Sequence, residues 1–127
     1  MNEMKLYNLA WKAKIMSYSP YSKFRVGAAV FAENNKVYTG ANIENSSYGA
    51  TVCAERTAVF KAVLEGNKKI KAIAIASDID ATIYPCGICR QVLGEFCHKD
   101  AKIICGSSID SFEVYTLDEL MPKWFRM

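Results

Sequence analysis

The spacing of apolar residues divides the chain into alternating helices and strands. Four segments carry apolar residues at helical spacing, and each is bounded by a turn residue or a helix terminator. We predict helices over residues 3–16, from Val52 to Gly66, from Pro85 to about His98, and from Leu117 to Met121.

Short apolar runs between these helices favour β-strands. The first two flank Asn34 and Asn35, a pair typical of a hairpin turn. The predicted strands cover residues 24–32, 36–41, 72–76, 102–105 and 112–115. Because helices alternate with strands, the pattern predicts the α/β class, a sandwich with a sheet at its centre. A chain of 127 residues has room for one hydrophobic core, so we expect one domain over residues 1–127.

Composition and charge exclude several classes of protein. Hydrophobic residues make up 51% of the chain and no segment reaches the length of an apolar membrane span, so we expect no membrane partner. The net charge of +3 is spread along the sequence, which argues against a nucleic-acid partner. The N-terminus does not resemble a signal peptide, and 5 cysteines is an odd number. We therefore expect a cytoplasmic protein with reduced thiols.

Three cysteines and one glutamate form the chemically informative pattern. Cys53 and Glu55 stand in a C-x-E arrangement, and Cys86 and Cys89 form a C-x-x-C pair directly after a proline. A structural zinc site normally has four protein ligands. Three thiolates beside a carboxylate that is not a ligand leave an open coordination position, which is typical of a catalytic zinc site.

The predicted helices place these ligands near helix N-termini. Cys86 and Cys89 fall at the start of one helix, and Cys53 falls near the start of the preceding one, with Thr51 as the candidate N-cap. The partial positive charge of a helix N-terminus favours thiolate over thiol.

Two polar residues are candidates to support the thiolates. Zinc with three thiolates carries a net negative charge, which weakens the metal as a Lewis acid. Arg56 stands three residues after Cys53, so its guanidinium is in reach of the sulfurs and can offset that charge. Gln91 follows the last ligand and is a further candidate for this supporting role.

Other interpretations of the cysteines stay open on this pattern alone. The cysteines can be buried free thiols or the ligands of a closed, non-catalytic zinc module. Glu55 argues against a closed module, since such a site requires no acid. Cys97 and Cys105 lie in apolar surroundings and are interpreted as buried thiols, and His98 as a surface residue.

At these residues the chain resembles the cytidine deaminases, specifically the small, homotetrameric kind with three cysteine ligands. The resemblance extends over nearly the whole chain and includes Tyr21–Ala29, Gly40–Gly49, Cys53–Ala58 and Cys89–Leu93. It implies a three-layer α/β/α sandwich with a central five-stranded mixed sheet. It also implies one Zn²⁺ per subunit and a homotetramer whose neighbouring subunits complete the pocket.

The resemblance implies a reaction and a role for Glu55. In this family, cytidine and 2′-deoxycytidine are hydrolysed to uridine and 2′-deoxyuridine with release of ammonia, a step of pyrimidine salvage. Water on the zinc gives a proton to the glutamate, attacks C4 of the ring, and the glutamate then returns protons to N3 and to the departing ammonia. The residues alone suit the same roles, since a metal lowers the pKa of its bound water and one mobile carboxylate can serve first as base and then as acid.

The resemblance also implies the substrate contacts. Asn42 and Glu44 are expected at the ribose, the backbone around Ala54 at the base edge, and Phe24 at the wall of the base pocket. Phe125 is expected to stack on the base from a neighbouring subunit, with Tyr48 at the shared interface.

Some positions depart from the family's pattern, and a rival substrate stays open. Tyr84 stands where a small hydroxyl residue is common, Ile88 where alanine is common, and Trp124 replaces a smaller residue before Phe125. A deaminase of a nucleoside antibiotic or of a polynucleotide is the alternative. Asn42 and Glu44 favour a free nucleoside over both.

Overall fold

The computed structural model describes residues 1–127, which form one mixed sheet with helices on both faces. The helices are α1 (Glu3–Ala13), α2 (Ala54–Leu64), α3 (Gly87–Phe96) and α4 (Leu117–Leu120). The strands are β1 (Val26–Ala32), β2 (Val37–Ala41), β3 (Ile70–Ser77), β4 (Cys97–Ser108) and β5 (Ser111–Tyr115). Short 3-10 turns cover Lys14–Met16 and Tyr48–Ala50.

The sheet has five strands in the order β2-β1-β3-β4-β5. Its only parallel pair is β3 with β4, and α3 makes the crossover between them; the other three pairs are antiparallel. The expected three-layer α/β/α sandwich with a five-stranded mixed sheet is therefore confirmed. The amino ends of α2 and α3 are brought to the same face of this sheet, on either side of β3.

Alternate residues of the central strand β3 belong to two separate hydrophobic cores, one on each face of the sheet. In β3, Ile73 and Ile75 face the side covered by α2 and α3, whereas Ala74 and Ala76 face α1. Residues that alternate in a strand point to opposite faces of the sheet, so both faces of β3 are buried, as its continuous apolar run predicts.

A glycine in β2 sets the distance between the sheet and α2. A Cβ atom on Gly40 would lie 2.3 Å from Thr57 Oγ1 and 2.5 Å from the backbone nitrogen of Ala58. Thr57 Oγ1 also donates to the carbonyl of Ala41 at 3.0 Å. This close approach fixes helix α2, which begins next to Cys53, against strand β2, which ends just before Asn42.

Three local predictions are corrected. Thr51 is not the N-cap of α2: Cys53 occupies that position, and Thr51 Oγ1 instead accepts from the backbone of Asn45 at 3.3 Å. The helix predicted from Pro85 begins after Cys86. This helix also ends earlier than predicted, because strand β4 already begins at Cys97. Cys97 pairs with Ile70 of β3, and the pairing of the two strands resumes after a shift in register between Ile70 and Ala72.

None of the helices is long and apolar enough to cross a membrane.

The close packing at Gly40 gives a stability prediction. Gly40→Ala is expected to lower the free energy of unfolding by about 1–3 kcal/mol, since the new methyl group overlaps backbone atoms that cannot move independently. The measurement is urea denaturation followed by circular dichroism. Gly49→Ala is the matched control, because nothing lies within 4 Å of a Cβ there. Equal stability of the two variants would contradict the packing argument.

Candidate active site

Three cysteine sulfurs form a cluster between two helix starts. Cys53 is the N-cap of α2, Cys86 is the N-cap of α3, and Cys89 lies in the first turn of α3. Their Sγ atoms all lie within 4.8 Å of one another, and those of Cys53 and Cys86 are 3.8 Å apart. Two thiolates bound to one zinc at about 2.3 Å with tetrahedral angles lie about 3.8 Å apart. The cluster therefore fits one Zn²⁺, as the pattern predicts.

The surroundings of Cys53 favour its thiolate form. The Cys89 thiol and the Arg56 guanidinium donate to Cys53, and these contacts lower the pKa of Cys53 to about 5 despite its partial burial. Of these two thiols, Cys89 keeps its proton, because it donates to Cys53 and is itself buried, which raises its pKa. Both helix N-termini add partial positive charge at the sulfurs.

Arg56 lies where the predicted supporting role requires it. Its Nη2 donates to Cys53 Sγ at 3.5 Å, and its Nε is buried without a hydrogen-bond partner. A guanidinium cannot lose its proton inside a protein, so this positive charge is permanent. Arg56 therefore places a permanent positive charge beside the sulfur of Cys53.

Glu55 lies beside the cluster but outside it. Only 5% of the residue is exposed, and burial raises the pKa of its carboxyl to about 7, with the negative charge of Cys53 acting in the same direction. No cation pairs with Glu55 at salt-bridge distance. A carboxyl group with a pKa near neutrality both accepts and gives up a proton readily.

Two of the cysteines, Cys53 and Cys86, line one cavity of about 330 Å³ together with Glu55. Apolar side chains form most of its wall and only a few polar groups line it, a composition typical of small-molecule sites. Of the expected contact residues, Phe24, Asn42 and Ala54 line this cavity. The remaining lining residues are Val26, Thr51, Cys53, Glu55, Ile75, Ile83, Tyr84 and Cys86.

Backbone contacts hold Asn42 rigidly at the cavity. Its Oδ1 accepts from the amide of Val26 at 3.0 Å and from Ser17 Oγ at 2.5 Å. Its Nδ2 donates to the carbonyl of Phe24 at 2.8 Å. An amide nitrogen carries two donor hydrogens, so one hydrogen of Asn42 stays available to a ligand.

Glu44 and Tyr48 lie in a second cleft that adjoins the first. This cleft has a volume of about 380 Å³ and is lined by Tyr21, Ser22, Glu44, Tyr48 and Thr51. Glu44 accepts from the backbone amides of Tyr21 and Ser22 at 3.0 and 3.1 Å, and also from the Ser22 hydroxyl. The contact with Ser22 holds the pKa of this carboxyl below its ordinary value, so Glu44 is an anion here. Thr51 lines both spaces and marks their junction.

Gln91 and Phe125 lie outside both spaces. The side-chain amide of Gln91 donates to the carbonyl of Phe125 at 2.9 Å, which corrects the expected contact with the thiolates. Trp124 packs against Gly94, and Phe125 is 67% exposed. Gln91 therefore anchors the C-terminal segment on α3.

Several residues at the site carry no sequence signal of their role. Ser17 and Ser22 anchor Asn42 and Glu44 from 25 and 22 residues away in the chain. Thr51 was assigned to a helix cap and lies at the junction of the two spaces instead. Serine and threonine are common throughout loops, so only the folded geometry distinguishes these positions.

Comparison with known proteins identifies the class that this fold and site define. Residues 1–107 match the family described as "Cytidine and deoxycytidylate deaminase zinc-binding region". The chain belongs to this family of zinc-binding deaminases. This confirms the resemblance inferred from the cysteine motifs.

Curated relatives and solved structures agree with this assignment. The chain is 45% identical over 125 residues to the cytidine deaminase of Halalkalibacterium halodurans, covering 98% of this chain and 95% of that protein. A crystal structure of cytidine deaminase from Burkholderia pseudomallei is 37% identical and has a TM-score of 0.93, covering 98% and 100% of the two chains. The cytidine deaminase structure from Mycobacterium tuberculosis has a TM-score of 0.85 at 34% identity, covering 100% and 99%.

The cluster gives a prediction about metal content. Cys86→Ala is expected to lose bound zinc, because two thiolates remain where three are required for tight binding. Cys97→Ala is the matched control and is expected to keep one zinc per chain, since burial of Cys97 raises its pKa to about 12 and it lies outside the cluster. Zinc per chain is measured by atomic emission after dialysis against a weak chelator. Loss of zinc from the Cys97 variant alone would contradict the assignment.

Proposed function

We propose that this chain catalyses the zinc-dependent hydrolytic deamination of cytidine and 2′-deoxycytidine to uridine and 2′-deoxyuridine, with release of ammonia. One observation carries the proposal: the buried Glu55 lines the same cavity as Cys53 and Cys86 of the zinc-binding cluster and is not part of that cluster. A closed structural site does not require such a group. Membership of the deaminase family and the names of the relatives support the same reaction.

Glu55 is the proton carrier of the proposed reaction. Zinc held by the three thiolates would supply Lewis-acid activation of a water molecule next to this carboxylate. Glu55 accepts a proton from that water as its oxygen attacks C4 of the cytosine ring. It delivers this proton to N3, then takes the proton of the new C4 hydroxyl group and passes it to the exocyclic nitrogen. The C4–N bond then breaks, C4 becomes a carbonyl and ammonia leaves. The burial of Glu55 keeps bulk water from competing for these protons.

The two adjoining spaces suit the two halves of a nucleoside. The largely apolar cavity accepts a flat base between Phe24 and Glu55. Asn42 in the first cavity and Glu44 in the second cleft offer a donor and a charged acceptor to the ribose hydroxyls. An anionic Glu44 would repel a phosphate, which favours a nucleoside over a nucleotide.

The chain is further proposed to act as one catalytic domain that assembles as a homotetramer. Phe125 lies outside its own cavity and is 67% exposed, and Tyr48 at the second cleft is 76% exposed. Large apolar groups exposed beside a site are typical of a surface that another chain covers. In the assembly, Phe125 of a neighbouring copy stacks on the base. The 5 cysteines form no disulfide bond with one another, which supports a cytoplasmic location.

The reaction is tested with the purified protein loaded with zinc. Cytidine and 2′-deoxycytidine are supplied separately, and uridine products and ammonia are measured. The unaltered chain is expected to convert both nucleosides. Glu55→Gln keeps the size of the side chain but cannot carry the proton, so its kcat is expected to fall by about 10²–10⁴-fold. Its zinc content should stay unchanged.

The controls distinguish the alternatives. Glu65→Gln changes an exposed carboxyl at the far end of α2 and is expected to keep full activity. A folded, zinc-loaded protein that is inert on both nucleosides would refute the proposal. Retained turnover by Glu55→Gln would remove Glu55 from the mechanism.

The assembly is tested separately. Analytical ultracentrifugation is expected to show a tetramer, and Phe125→Ala is expected to raise the KM for cytidine by about tenfold while the sedimentation coefficient stays the same, because one stacking contact is lost. A stable monomer with full activity would contradict the shared pocket. Met127→Ala, which changes a terminal exposed residue, is the matched control.

A further inference from the structure

Tyr84 borders the reactive end of the cavity and has no role in the proposed reaction. It lines the cavity together with Ile83 and Cys86. Because it stands two residues before Cys86, their Cα atoms are separated by at most roughly 7.6 Å. The scissile C4–N bond of the substrate must lie where the thiols and Glu55 meet. Tyr84 and Cys86 therefore belong to one stretch of the cavity wall, which places Tyr84 within reach of the exocyclic amine.

Contacts from β5 hold the Tyr84 side chain in one position. Its hydroxyl donates to Glu113 Oε1 at 3.2 Å, and its ring meets Tyr115 edge to face with centroids 5.8 Å apart. Glu113 is held in turn by hydroxyl groups of Tyr115 and Thr82. Although 45% of Tyr84 is exposed, this network restrains the ring against swinging away from the cavity.

We propose that Tyr84 is a specificity-determining residue that limits the size of the leaving amine, and that Glu113 is a positioning residue that holds its ring. This inference rests on the proposed function, whose reaction defines where the amine lies. A restrained ring beside the amine leaves little room for an alkyl group on N4. A small side chain at position 84 opens that space.

N4-Methylcytidine is the probe that reports on this space. In its hydrolysis the oxygen of water bonds to C4, the C4–N4 bond breaks, and the protons of the water pass to the nitrogen and the ring. The products are uridine and methylamine, so no other reactant is needed. Uridine is the common product of both substrates and is measured in the same way for each.

The readout is the ratio of kcat/KM for N4-methylcytidine to kcat/KM for cytidine. Tyr84→Ser is expected to raise this ratio by about tenfold or more, in line with the discrimination that a pocket exerts over one methyl group. Tyr84→Phe keeps the ring and loses only the hydroxyl, so its rise is expected to be smaller. A ratio unchanged in a folded Tyr84→Ser protein would overturn the inference.

The positioning role has its own variants. Glu113→Ala removes the acceptor for the Tyr84 hydroxyl and is expected to raise the ratio, whereas Glu113→Gln keeps an acceptor oxygen and is expected to restore it toward the original value. Glu65→Ala removes an exposed carboxyl elsewhere and serves as the control. If Tyr84→Ser does not fold, the Glu113 pair decides: equal ratios for alanine and glutamine would overturn the positioning role.

Activity of the unaltered protein on cytidine distinguishes failure of the proposed function from failure of the inference about Tyr84. Failure of the unaltered chain to convert cytidine would refute the proposed function and this inference with it. Conversion of cytidine with an unchanged ratio in the variants would refute only the inference.

Discussion

The convergence of two helix N-termini on three sulfur atoms is the constraint on which the rest of the site depends. Cys53 and Cys86 are N-caps of α2 and α3, and Cys89 lies one turn into α3. Neither helix carries a side-chain cap at this end, so their free amide groups and dipoles act on the thiolates. Any shift of one helix against the sheet separates the sulfurs, which explains why glycine in β2 and the Thr57 contact matter for chemistry as well as for stability.

The charged groups of the site lie in different environments, and each environment suits a different chemical role. The Cys53 sulfur has a permanent positive partner in Arg56. Glu55 has no cation at salt-bridge distance, and its burial raises the pKa of its carboxyl group to about 7. A carboxylate paired with arginine would have a low pKa and would be a poor acid. In the adjoining cleft, Glu44 is held as an anion by Ser22 and its neighbours. Two carboxyl groups in one site thus have opposite environments, one suited to proton transfer and one to recognition of hydroxyl groups.

Most of the fold could be predicted from periodicity, because the strands and helices bury clear apolar faces. The zinc ligands could be predicted because C-x-x-C places two sulfurs on one helix turn without help from tertiary structure. Contacts across the chain could not be predicted. Gln91 follows the last ligand in sequence, but its amide contacts the C-terminal segment, and the cap of α2 is the ligand Cys53 itself. The Gln91 contact depends on how helix α3 packs against the distant C-terminal segment, and the α2 cap depends on the loop in which Thr51 accepts from Asn45. Spacing along one segment encodes neither.

X-ray absorption at the zinc edge of the zinc-loaded protein tests whether three cysteines hold the metal and leave one position open. Three sulfur neighbours at about 2.3 Å and one lighter neighbour from solvent at about 2.0 Å are expected. Glu55→Gln is expected to give the same spectrum, since that carboxylate is not a ligand. Four sulfur neighbours, or loss of the lighter neighbour in the Glu55 variant, would instead indicate a closed structural site or a glutamate ligand.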